Sequence, residues 1–425
     1  MRQQMLNNGQ QRIGKGLQLS FVLLISGALI VSSCAKIEPV VINEPAYLRV
    51  FNNLRFKVTV DNQDQTHSTL VMLINPEYDS NGIPAGAEII GDFLVTRNSY
   101  APPYPSHIGN SLDVYNPEYP GKERVNAGPI LNGFDLSSWA QVPSGQHRVA
   151  FYSRPRSEVP FFNLEMRYRT EPIVDTVLDL RAGEVYTLHV LQKDFNTKEN
   201  GILLRQENFH KLALADSLVY VNFYNMSAKG FFEAPHTVKP NSGNHLLGGL
   251  NLEYDWFQEG IREEMNVFYV AYDERFLRQH YDGTIKPLAS FMTHLKRDTE
   301  NPATAPYWSL PLFFNAQDSI RSFLFQEFFF SRPGFDATPE SFMIPNDGPE
   351  GPGAGGYARL LCYGNGREEP PAPRRQNYVA VPNLIVTTHS GEHNPRSFAT
   401  VNSIEIVNNS VYLTTVQRVY EPPVY

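Results

Sequence analysis

From Ala46 to the end of the chain, short runs of alternating apolar and polar residues recur between turn-forming residues. The first is Ala46-Tyr47-Leu48-Arg49-Val50-Phe51-Asn52. Phe56 to Val60, Thr69 to Ile74, Glu88 to Val95, His147 to Tyr152, Val174 to Leu180 and Val185 to Leu191 follow. A period of two predicts strands with one face on a core and the other toward water. Irregular stretches separate them, notably Tyr100-Ala101-Pro102-Pro103-Tyr104-Pro105 and Asn116 to Gly121.

The pattern restarts at Leu218-Val219-Tyr220-Val221-Asn222-Phe223-Tyr224-Asn225, which resembles Tyr47 to Asn52. The two halves also end alike. Val185 to Lys193 is similar to Val411 to Arg418, allowing a one-residue gap. Each is preceded by an alternating strand and a turn: Val177 to Leu180 with Ala182-Gly183, and Ile404 to Val407 with Asn408-Asn409. Short links bearing Gly or Asn suit tight reversals, so each half is expected to close on a hairpin. The boundary falls between Ala213 and Ser217, giving domains at 46–213 and 217–425. The second is longer through insertions. Short helices are expected at Asp255 to Glu264, Asp273 to Tyr281 and Pro287 to Arg297, and a loop at Asn346 to Gly356. The predicted fold is all-β: two tandem, immunoglobulin-like β-sandwiches with loop and short-helix insertions. Composition agrees. The 22 Tyr and 27 Phe favour pleated, half-buried surfaces, and 32 Pro and 29 Gly punctuate turns.

The segment before the strands has another character. Arg2, Arg12 and Lys15 precede Leu17 to Val31, which is apolar apart from Gln18, Ser20 and Ser26. A basic start, a short apolar core and small residues at its end mark a secretory signal, here residues 1–33. The apolar run is short for a membrane span, which needs roughly 20 residues. Val31-Ser32-Ser33-Cys34 resembles the lipobox of bacterial lipoproteins. That resemblance implies lipid on the Cys34 thiol and cleavage before it. Residues 34–45 would then form a tether. The membrane would be a partner through the lipid, and the location the cell envelope: an outer-membrane lipoprotein, periplasmic or surface-exposed.

The formal net charge is −8, and losing the basic leader makes the mature chain more negative. A nucleic-acid binder needs clustered Lys and Arg, so that class is excluded. Cys34 and Cys362 are the two cysteines. With Cys34 lipidated, Cys362 has no partner for an internal disulfide and reads as a buried small hydrophobe.

The lipobox, the opening Leu48-Arg49-Val50-Phe51-Asn52 and the closing Val185-Tyr186-Thr187-Leu188 together resemble cell-envelope lipoproteins of Bacteroidota with tandem immunoglobulin-like domains of unknown function. Tyr220 to Asn225 lacks the arginine of that opening phrase. The resemblance implies location and fold, and no chemistry.

Motifs for catalysis are sparse. His389-Ser390-Gly391-Glu392-His393 does not follow the helical zinc-protease order, and Gly391 and Pro395 favour a polar turn. Asp61 to Asp64 and Asn346-Asp347-Gly348 lack the spaced ligands of a calcium loop. Gly364-Asn365-Gly366 lacks the Lys-Ser/Thr of a phosphate loop. Glu263-Glu264 is expected on a solvated helix face. No metal or cofactor is expected. Aromatic residues remain as candidate ligand contacts, because their faces pack on pyranose rings: Tyr100, Tyr104, Trp139, Trp256 and Trp308. The expected function is non-catalytic: an anchored accessory or binding protein for a glycan or an envelope protein, with possible use in nutrient uptake. The alternative is a fimbrillin-like structural or adhesion subunit, joined by strand addition through Val411 to Tyr425.

Overall fold

The structure is a computed structural model. It describes residues 41–54, 69–94, 128–155, 159–215, 218–235, 261–271, 288–300, 305–311, 326–334, 357–363, 378–382, 384, 386–388, 396–398, 400–408 and 410–418. Residues 42–425 form one compact unit.

In the first half, the strands are β1 (Ala46–Asn52), β2 (Leu70–Tyr78), β3 (Pro84–Leu94), β4 (Ile130–Leu131), β5 (Phe134–Asp135) and β6 (Ala140–Val142). They continue with β7 (Gly145–Ser153), β8 (Val174–Leu180), β9 (Val185–Asp194) and β10 (Glu199–Glu207). The second half holds β11 (Leu218–Asn225), β12 (Glu264–Ala271), β13 (Leu288–Lys296), β14 (Trp308–Pro311), β15 (Gln326–Ser331) and β16 (Tyr357–Tyr363). Then come β17 (Tyr378–Pro382), β18 (Val386–Thr388), β19 (Arg396–Phe398), β20 (Thr400–Val407) and β21 (Ser410–Gln417). The helical residues described are short 3-10 turns at Phe161–Asn163, Met166–Tyr168 and Phe209–Lys211. The protein is all-β and built of β-sandwiches.

The same topology occurs twice. In the first half one sheet has the order β6-β1-β9-β10 and the other β8-β7-β2-β3. In the second half the corresponding orders are β14-β11-β20-β21 and β16-β15-β12-β13, with β17 added beyond β16. The pairing senses match as well. β1 runs antiparallel to β6 and parallel to β9, as β11 does to β14 and β20. The core of the first sandwich joins Leu48, Val50, Leu188 and Val190 to Leu70, Met72, Val149 and Leu178. That of the second joins Val221, Phe223, Ile404 and Leu413 to Val267, Phe328 and Leu360.

Three expectations are corrected by this arrangement. Val177 to Leu180 and Val185 to Leu191 do not form a hairpin: β8 pairs with β7, whereas β9 lies in the opposite sheet beside β1. Leu178 and Leu180 therefore face Tyr186 and Leu188 across the core. Gly183 makes the crossing at φ +73°, a region that favours glycine, and its N–H bonds to the Pro45 carbonyl. The closing hairpins of the two halves are β9–β10 and β20–β21, so β9 corresponds to β20 and not to β21.

Within the segment expected to be helical from Pro287 to Arg297, Leu288–Lys296 is strand β13, not a helix. Thr293 pairs with Val267 and Phe291 with Phe268, leaving Met292 as an extra, bulged residue. The bulge puts buried Met292 and Leu295 three apart, which imitates a helical period. Glu264 opens β12, so the helix expected up to that residue does not reach it. Residues 255–260 and the segments 56–60, 100–105, 116–121, 273–281 and 346–356 lie outside the described residues.

The third correction concerns exposure. The alternating strands of β1, β9, β11, β20 and β21 have no wet face: Ala46 to Asn52 and Thr400 to Val407 are buried throughout. Their second faces meet each other. Tyr47, Trp139, Val185 and Phe209 of the first sandwich pack with Val401 and Val416 of the second. Leu191 and Leu203 pack with Tyr224, Met226, Val407 and Tyr412.

This burial yields a stability prediction. Leu48 and Phe328 are fully buried, one in each sandwich core. Leu48→Ala is expected to cost about 2–5 kcal/mol and Phe328→Ala about 3–5 kcal/mol in urea denaturation, through lost transfer energy and the cavity left behind.

Candidate functional site: a buried charge network between the sandwiches

The junction is apolar at both ends and charged in the middle. Because β1, β9, β10 and β20 send alternate residues into it, their polar positions converge there. Arg49, Thr187, His189, Arg205, Glu207 and Glu405 are all 0–1% exposed. The Arg49 Nε donates to Thr187 Oγ1 at 2.8 Å, and the Thr187 hydroxyl donates to Glu207 Oε1 at 2.6 Å. Arg205 donates to the same Glu207 oxygen from Nε at 3.1 Å and from Nη2 at 2.9 Å.

Two contacts cross to the second sandwich. Arg205 Nη2 lies 2.8 Å from Glu405 Oε1, and His189 Nε2 lies 3.6 Å from that same oxygen. Asn53 holds the other ring nitrogen of His189 at 3.0 Å. Aromatic faces line the cations: the Arg49 guanidinium lies 3.8 Å from the Trp139 ring centroid, and that of Arg205 lies 4.1 Å from Tyr224.

Two guanidinium groups thus face two carboxylates. Burial by itself would push the Glu207 carboxyl up, but Arg205 and Arg49 outweigh it and hold the group below its ordinary range. Burial works against the Arg205 charge too, and Glu207 and Glu405 reverse it, so that guanidinium stays charged. Burial pushes the Tyr224 hydroxyl up to about 12 and keeps it neutral. Tyr224 Oη accepts the Ala305 N–H at 3.1 Å. Closed from solvent, the network admits no substrate. Its chemistry is that of a joint.

Backbone pairing closes the junction at both ends. At one, Phe195 N–H donates to the Lys229 carbonyl and Lys229 N–H to that of Lys193. There Phe195 packs edge-on against Phe231 at 5.2 Å between centroids. At the other, Phe134 bridges to Arg418.

Of the aromatic residues singled out from the sequence, Trp139 lies at the network and Trp308 on an edge strand. Trp139 is fully buried and its indole N–H donates to the Tyr186 carbonyl at 3.1 Å, so it turns no face to a ligand. Trp308 opens the edge strand β14, opposite Val221, and is 37% exposed. Cys34, Tyr100, Tyr104 and Trp256 lie outside the described residues, as do Asp61 to Asp64, Asn346 to Gly348 and His389 to His393. Cys362 sits on β16 opposite Gln326. Glu263 is not on a solvated helix: it bonds the Arg297 guanidinium where β12 starts and β13 ends. Among the described residues, no three His, Cys, Asp or Glu side chains are grouped to hold a metal ion.

Sequence reasoning missed the network. Its signal is a charged residue between apolar neighbours on a strand: Arg49 between Leu48 and Val50, and Glu405 between Ile404 and Ile406.

No family model matches the chain, and no curated protein matches it. Among solved structures, one named "putative cell adhesion protein", from Parabacteroides distasonis, aligns with 89% of this chain and 100% of its own. The identity is 9% and the TM-score 0.17, an overlap that carries no argument about fold or role.

Two measurements test the network and the turn that follows β10, where His210 is buried. Arg205→Met and Glu405→Gln each leave a buried charge unmatched, so each is expected to lower stability by about 3–5 kcal/mol in urea titrations. The double variant should lose less than the sum. The second test is the pH dependence of Tm. Burial, helped by Lys211, lowers the pKa of His210, so below about pH 6.5 the unfolded chain takes up the proton more readily and stability falls. The pKa of Glu207 is also depressed. Its contribution is complete above about pH 4.3 and is lost as pH drops through the lowered value. The Tm should therefore decline in two stages on acidification, and His210→Phe should remove the first.

Proposed function

We propose that the chain is a non-catalytic lipoprotein of the cell envelope, tethered through Cys34, whose two sandwiches present a binding surface for adhesion or for capture of a glycan or protein ligand. The observation that carries this reading is Val31-Ser32-Ser33-Cys34 at the end of a basic and then apolar leader, a few residues before a folded body. Multiple acyl chains give stable anchoring where a single chain does not. The buried junction supports the binding role, since it holds both sandwiches as one support from which loops project. Trp308, partly exposed on an edge strand, is open to stack on a sugar.

The fimbrillin-like alternative needs a strand to donate. Ser410 to Gln417 is hydrogen-bonded to β20 along its length, and Val411, Tyr412, Leu413 and Val416 are buried. Donating that strand would open both the second core and the junction, which weighs against the alternative.

Labelled palmitate fed to expressing cells is expected to enter the wild-type chain and not Cys34→Ser, whose mature protein should leave the membrane fraction. An unlabelled wild-type chain retaining Met1 by intact mass would refute the anchoring.

A further inference from the structure

The strand that follows the tether is held on every side. β1 is central in its sheet, paired parallel to β9 from Tyr47 to Asn52 and antiparallel to β6 from Ala46 to Leu48. Three bonds extend the ladder to β9 and its approach: Tyr47 N–H to the Glu184 carbonyl at 2.9 Å, Asn53 N–H to Val190 at 2.8 Å, and Gly183 N–H to Pro45 at 2.8 Å. One face of β1 sends Ala46, Leu48 and Val50 into the first core. The other sends Tyr47 and Arg49 into the junction.

Direction matters as much as number. β9 runs the same way as β1 and ends in the turn to β10, where Phe195 and Lys193 bond Lys229 of the second sandwich. Tension from the tether draws β1 toward its own N-terminus, while a load held at the β9–β10 turn draws β9 the opposite way. The ladder bonds are then loaded along the strand axis and must break together. Arg49 must at the same time leave Thr187 and Glu207. The same bonds loaded from one end would open one after another.

We propose that β1 is a force-bearing clamp, suited to hold tension between an anchor before residue 42 and the end of the molecule where the β9–β10 turn meets residues 226–234. The source of that tension rests on the anchoring reading of Cys34. The mechanical behaviour does not, so the two fail separately.

The test is single-molecule pulling on the full mature chain with Cys34→Ser and Cys362→Ala, carrying handles on introduced cysteines. The pair Asn43→Cys with Thr197→Cys loads the β1–β9 ladder in shear. The pair Asn43→Cys with Ala182→Cys, whose sites lie at the same end, peels it. All three positions are exposed. The shear pair is expected to rupture at several-fold higher force than the peeling pair at equal loading rate. Equal rupture forces, or a weaker shear pair, would overturn the clamp. Loss of palmitate labelling with the force difference intact would overturn the anchor alone.

Discussion

The contact between Arg205 and Glu405 is the point on which the rest of the structure depends. It is fully buried, it joins one sandwich to the other, and it closes a network in which each guanidinium has a carboxylate to answer it. Taking such ions out of water costs several kcal/mol apiece, and good geometry with further hydrogen bonds is needed to offset that. Thr187, Trp139 and Tyr224 provide part of that surrounding. A balanced buried set also selects one docking of the sandwiches, because sliding either sheet would leave an ion without its counter-charge. Apolar clusters at either end exclude water and make the pairing strong where it lies.

This junction explains what could and could not be seen in the amino-acid pattern. Period-two alternation located β1, β2, β3, β7, β8, β9 and β11 well, because alternation follows from side chains pointing to opposite faces of a strand. It could not tell a face turned to water from one turned to a second sheet with polar residues of its own. Arg49, His189 and Glu405 fall on the polar side of that alternation, and that side is the junction. Hairpin assignments failed at Ala182-Gly183, because a short turn can cross between sheets as readily as it can reverse within one. The bulge at Met292 mimicked a helix. The duplication was visible in the opening strands, yet the true correspondence of β9 with β20 rests on parallel pairing, which leaves no local mark.

The candidate site was less legible still. A network drawn from four strands has members up to about 350 positions apart, and no spacing rule connects Arg49 with Glu405. Trp139, singled out as a surface for sugar, instead lies under a guanidinium inside the protein. Function follows from this in a particular way. A pair of sandwiches locked together is a poor hinge and a good support, which suits the proposed role of an anchored binding body. The first strand ties the core to this junction: it is paired to β9 from Tyr47 to Asn52 and sends Arg49 into the network.

Calorimetry of the mature chain measures the central claim most directly. If the network and its flanking clusters bind the sandwiches into one cooperative body, heating gives a single transition whose calorimetric enthalpy equals its van't Hoff enthalpy. Two resolved transitions in the wild-type protein, each with its own enthalpy, would show that the sandwiches unfold independently and would contradict the account.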